Sequence, residues 1–155
     1  MVRFHKGDLS IEVPAFGFGE RIPDRFAKAN DNVSPEIRVR SVPEGTKSLA
    51  VLVHDPDAPV TDGWTHWLAW GIDPETTVIP EGVSGLPTAN NTDGNPQWDG
   101  PAPPNGHGNH HYFFHLYALD TEIDPPTTIS TPEFLRLIDD HIIEQARWVG
   151  TYSYD

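Results

Sequence analysis

The sequence contains no cysteine, and that absence excludes disulfides, thiolate metal sites and a cysteine nucleophile together. Lysine is nearly as scarce, with only Lys6, Lys28 and Lys47 among 155 residues. Basic side chains number 10 against 23 acidic ones, for a formal net charge of −13. No Lys/Arg cluster could displace counterions from phosphates, which argues against a nucleic-acid partner. No run reaches the roughly 18 consecutive apolar residues of a membrane span. The opening MVRFHKGDLSIEVP lacks the apolar stretch of a signal peptide, so a cytoplasmic protein is expected. The acidic residues are dispersed along the chain, as on a solvated surface that keeps the molecule soluble by self-repulsion. Together with the scarcity of lysine, this fits adaptation to a high-salt cytoplasm.

At 155 residues the chain has the length of one domain, here residues 1–155, with enough surface to bury a core without cross-links. Sixteen prolines and thirteen glycines punctuate it too densely for long helices, so strands and loops should dominate. Strand-length β-branched or aromatic runs lie at Ile37–Val42, Leu49–His54, Thr65–Ile72 and His111–Leu119. The segment from Thr131 to Trp148 reads as one C-terminal helix, with Thr131 as cap, Pro132 in the first turn and Gly150 beyond the end. Leu135, Ile138, Ile142 and Ala146 would form its buried stripe. Extended chain should resume at Val149–Tyr154. The Pro/Gly-rich stretch from Val83 to Gly108 is too long for a turn, and loops of that length are usually functional.

Three segments concentrate polar residues beside strands: HDPDAP at 54–59, DGWTHW at 62–67 and DGPAPPNGHGNHHYFF at 99–114. Rigid, proline-rich loops at strand ends are what a preorganised pocket requires. In a strand, His110 and Tyr112 share one face while His111, Phe113 and His115 share the other, a spacing that argues against a metal centre. Alternation likewise groups Trp64, His66 and Leu68 against Thr65, Trp67 and Ala69. His66 alone reads as a buried imidazole bonded to a backbone carbonyl, and Asp57 as a turn former, whereas Asp55 is oriented by the sheet end. Ala58-Pro59 is a candidate cis bond. No serine sits in a nucleophile elbow. Two imidazoles, a carboxylate, a tyrosine hydroxyl and glycine-exposed N–H groups suit either a small-anion receptor or an acid–base hydrolase using Asp55 with His66 or His110.

DPDAP, then WTHW, then GPAPP and HHYFFHLYALD resemble the phosphatidylethanolamine-binding protein family, and more closely its bacterial and archaeal Raf-kinase-inhibitor-like branch. The resemblance extends over NVSPE at 32–36, VPEGTKSLAV at 42–51 and VGTYSY at 149–154, nearly the whole chain. It implies an all-β fold, a large antiparallel sheet packed on a smaller one, with a small cavity at one end for phosphate-like and acetate-like anions or phosphorylated headgroups. The implied ligand-binding residues are Asp55, Trp64, His66, Gly100, Pro103, Pro104, His110 and Tyr112, with no catalytic residue, metal or cofactor. A homodimer is also implied, and some family members act as peptidase or kinase inhibitors. The sequence departs from the family pattern at Val39, His54, Asp73 and Gln97-Trp98-Asp99. Asp99 is expected to place a second carboxylate at the cavity mouth, where it would repel phosphate.

Overall fold

The computed structural model describes residues 6–154. Seven strands and one short α-helix follow in the order β1 (Ser10–Glu12), β2 (Ile37–Arg40), β3 (Ser48–Asp55), β4 (Trp64–Ile72), β5 (Val78–Ile79), β6 (His110–Leu119), α1 (Thr131–Ile138) and β7 (Ile142–Tyr152). They form two antiparallel sheets, one with strand order β4-β3-β6-β7 and a smaller one with order β1-β2-β5. The protein is therefore mostly β, as the density of Pro and Gly predicts.

Nearly unbroken apolar character in β3 and β4 reflects burial on both faces of the large sheet. On one face Val51, Val53, Trp67, Ala69, Phe114 and Leu116 join Ile11, Ile37, Val39 and Ile79 of the small sheet in a common core. On the other, Ala50, Leu52, Leu68, Trp70 and Tyr117 pack against Phe134 and Ile138 of α1. Burying each of those two helix side chains contributes about 1.5 to 3 kcal/mol, which holds α1 on the sheet despite its eight residues.

The helix is shorter than its sequence predicts and begins one residue earlier in its capping. Ser130, not Thr131, is the cap, in a reciprocal box with Glu133, and Pro132 lies in the first turn. After Ile138 the chain makes one 3-10 turn, Asp139–His141, and enters β7, which pairs with β6 from Ile142↔Leu119 to Tyr152↔His110. Ten ladder positions beside the central strand outweigh the weak helical preference of Ile142–Trp148, whose β-branched start suits a strand. Of the predicted stripe only Ile138 packs on the sheet as helix: Leu135 is exposed and Ile142 and Ala146 belong to β7, while Phe134 takes the other buried place. Ala58-Pro59 is trans, with no cis peptide among the described residues.

One irregularity aims a side chain. Val53 pairs with Trp67 and His54 with Thr65, so residue 66 is an extra residue in β4. Such a bulge breaks alternation and re-aims the inserted side chain. His66 consequently lies against Tyr112, on the face of Trp67 and not that of Leu68. Trp64, opposite Asp55, also joins the Trp67 side, while Thr65 meets Thr131 of α1 at the other face.

Candidate functional site

The end of β3 and the starts of β4 and β6 lie at one edge of the large sheet, and a cavity of about 230 Å3 opens there. Asp55, Trp64, His66, His110 and Tyr112 line it from the strands. Gly100, Pro103 and Pro104 line it from the long loop before β6. All eight positions singled out in the sequence therefore meet at one hollow.

Asp55 closes β3 with both carboxylate oxygens engaged. Oδ1 accepts the Asp57 backbone N–H at 2.8 Å, and Oδ2 lies 2.6 Å from Nδ1 of His110. Both side chains of this pair are 3% exposed. A carboxylate only accepts, so the His110 proton sits on Nδ1 and its Nε2 faces away from Asp55. That Nε2 lies 2.5 Å from Nδ1 of His107, a ring on the exposed loop before β6. A chain of groups thus runs from buried Asp55 through His110 to the surface.

His66 is fixed by a different acceptor, the backbone carbonyl of Asp99, 2.8 Å from its Nδ1. The carbonyl requires a proton on Nδ1, leaving a lone pair on Nε2 of the neutral ring. Burial pushes the His66 pKa down and outweighs the opposing pull of the Asp99 carbonyl and the Asp55 charge. Nε2 has no hydrogen-bond partner among the described residues, and it is not sealed from the cavity. The ring meets Tyr112 edge-on, with centroids 5.1 Å apart. Burial, reinforced by the Asp55 charge, pushes the Tyr112 phenol up, so the hydroxyl keeps its proton and can donate.

Close backbone approach shapes the loop side. A Cβ on Gly100 would stand 1.8 Å from the Phe26 carbonyl oxygen, so only glycine fits. Trp98 Nε1 donates to that same carbonyl at 3.2 Å, and the Lys28 N–H to the Pro101 carbonyl at 3.1 Å. Gly63 matters similarly in the loop after β3, since its φ is +67° and a Cβ would meet the Asp55 carbonyl at 2.5 Å.

Asp99 does not stand free at the mouth as its sequence position implies. Oδ1 accepts from the side-chain amides of Asn32 and Gln97 at 2.9 and 3.0 Å, and Oδ2 from those of Asn91 and Asn95 at 2.8 and 2.9 Å. Burial alone would raise its pKa, but these four donors prevail and hold it at about 2.

The model of the phosphatidylethanolamine-binding protein family matches residues 12–153. The chain belongs to this family. Among its relatives, the UPF0098 protein of Methanothermobacter thermautotrophicus is 36% identical over 151 residues, covering 93% of this chain and 98% of the relative. A UPF0098 protein of Pyrococcus horikoshii is 35% identical, covering 94% of this chain and 77% of the relative. E. coli YbcL, a member of the mammalian PEBP family, has a similar structure, with a TM-score of 0.89 at 29% identity over 96% of this chain and all of that one. The phosphatidylethanolamine-binding protein homologue of Chlamydia trachomatis gives 0.87 at 32% identity, covering 95% of this chain and 98% of that one.

Within this family member several further residues reach the site. Asp57 is more than a turn former: its Oδ2 accepts both N–H and Nδ1–H of His111 at 2.8 and 2.7 Å, pinning the DPDAP loop to the start of β6. The sequence reading assigns no site role to Asn32, Asn91, Asn95 or Gln97, although the amide-rich run before Asp99 is a usable signal. Lys28 and Asp93 also line the cavity and form an ion pair. Of the other described histidines, His115 stacks between Phe113 and Tyr117, on the sheet face that carries Leu52 and Tyr117. No group of three or more His, Asp or Glu is placed to hold a metal among the described residues.

Proposed function

We propose that this family member binds a small phosphate- or acetate-like oxyanion, free or as the headgroup of a phosphorylated small molecule, in the cavity beside Asp55. The observation that carries this reading is the pairing of an unpartnered imidazole nitrogen, His66 Nε2, with a protonated phenol, Tyr112, in one small cavity. Once protonated, His66 donates from Nε2, and the Tyr112 hydroxyl supplies a second donor. His110 offers Nε2 as a third when the exposed His107 ring yields it, and Asp55 balances the resulting imidazolium. A cavity of about 230 Å3 falls below the ~300 Å3 lower bound typical of drug-sized pockets, which favours a compact group.

The Asp55–His110 pair also has the form of an acid–base couple, so hydrolysis is the second reading. Among the described residues no serine or threonine lines the cavity to serve as a nucleophile. Calorimetric titration with inorganic phosphate, alongside a panel of phosphate and carboxylate esters, separates the two. Saturable binding without product, weakened roughly 10-fold or more in His66→Ala, supports a receptor. Turnover lost in His110→Ala supports a hydrolase. A cytoplasmic homodimer is the proposed setting, which light scattering and cell fractionation test. No helix among the described residues is long and apolar enough to cross a membrane.

A further inference from the structure

Among the described residues, the cavity walls carry three acidic side chains, Asp55, Asp93 and Asp99, but Lys28 as their sole permanently charged base. Two of the acids have fixed partners: Asp55 is bonded to His110, and Asp99 to four amides. Only Asp93 and Lys28 are left to each other, and their ion pair is partly solvated, with side chains 31% and 41% exposed. Their backbones are held apart from this contact. Residue 28 is tied to Pro101, and Asn91, two residues before Asp93, to Asn95 and the Asp99 carboxylate. The long, flexible Lys28 side chain can therefore exchange partners while the cavity keeps its shape.

We propose that Lys28 is an anion anchor of this cavity, that Asp93 is its internal competitor, and that the pair favours doubly charged oxyanions over carboxylates. This deepens the anion-binding reading and rests on it. A solvated ion pair is weak, so the Lys28 ammonium can leave Asp93 for a ligand at low cost. The exchange gains little for acetate, which offers the same group and charge as Asp93 itself. A sulfate or phosphate dianion carries twice the charge, and the Coulomb attraction scales with it. Lys28 thus turns toward a dianion and stays with Asp93 when a monocarboxylate enters.

Calorimetry with inorganic sulfate and with acetate tests this in Lys28→Met, Asp93→Asn and the double variant. Lys28→Met should weaken sulfate binding about 10-fold and acetate by about 2-fold at most, the scale of one charge-assisted hydrogen bond. Asp93→Asn should tighten sulfate about 3-fold or more, and this gain should vanish in the double variant, because it requires a released Lys28. A merely structural ion pair would instead make both single variants bind worse. That outcome overturns the inference, as does an Asp93→Asn gain that survives without Lys28, the mark of a general field effect. If the unaltered protein binds sulfate yet Lys28→Met binds it equally well, the inference alone falls. If it binds neither anion, the anion-binding reading falls with it.

Discussion

Asp55 Oδ2 and His110 Nδ1 lie 2.6 Å apart at the end of the central strand pair, with each side chain 3% exposed. Removing one member leaves the other buried without its partner. Asp55→Ala is expected to destabilise the protein by about 3 kcal/mol in urea denaturation, the scale of a broken buried pair. Asp55→Asn keeps the shape but cannot balance an imidazolium, so it should weaken phosphate binding roughly 10-fold with a smaller loss of stability.

The tautomer of His66 carries a proton-counting consequence. Its Nδ1–H is committed to the Asp99 carbonyl and its pKa is pushed below the ordinary value, so Nε2 is unprotonated at neutral pH. An anion needs a donor there, so binding must draw in a proton. Inorganic sulfate brings none near neutral pH. Calorimetry in buffers of different ionisation enthalpy at pH 7.5 should show uptake of about one proton per sulfate, with affinity rising as pH falls. The uptake should disappear in His66→Ala.

His115 predicts an acid sensitivity unconnected with the cavity. Burial, aided by Arg147, pushes its pKa from 6.5 to about 4. Between those values the unfolded chain binds more protons than the folded one, so stability falls as pH drops from 6.5 toward 4 and the loss is complete below. About 3 kcal/mol is at stake by linkage. His115→Phe keeps the stack between Phe113 and Tyr117 and removes the titration. Chemical denaturation of the two proteins at pH 7.5 and pH 4.5 should show a smaller acid loss in the variant.

The amide cage of Asp99 links stability to the loop that forms one cavity wall. Asp99→Asn turns an N–H against donor amides and should cost about 1 to 3 kcal/mol. Gly100→Ala should cost at least as much, because a Cβ standing 1.8 Å from the Phe26 carbonyl forces the backbone apart. Urea midpoints measure both.

Asp55, His66, His110 and Tyr112 are legible because each sits in a short polar motif beside an apolar strand, whereas Trp64, Gly100, Pro103 and Pro104 follow only from the family resemblance. His110 and Tyr112 follow the strand period, and the structure keeps them on one face. His66 did not obey alternation, since the bulge opposite Val53 and His54 depends on register, which a single strand's sequence does not encode. The sequence overextends the C-terminal helix for a related reason. The periodicity of Phe134–Ile138 continues by chance into Ile142–Trp148, and only pairing with β6 decides that this segment is a strand. Asp99 stands out in the sequence, but its effect depends on Asn32, 67 residues away, and on amides whose convergence has no local signature. Lys28 reaches the cavity because Gly100 lets its backbone approach the 98–101 loop, a relation invisible before folding.

Side-chain 15N NMR of the histidines during a titration with inorganic phosphate tests anion binding at this cavity most directly. Nε2 of His66 should move saturably from the unprotonated to the N–H range, with His110 perturbed in parallel and the exposed His141 unmoved. Invariance of His66 and His110 up to tens of millimolar phosphate, or changes confined to the exposed rings, would contradict the account.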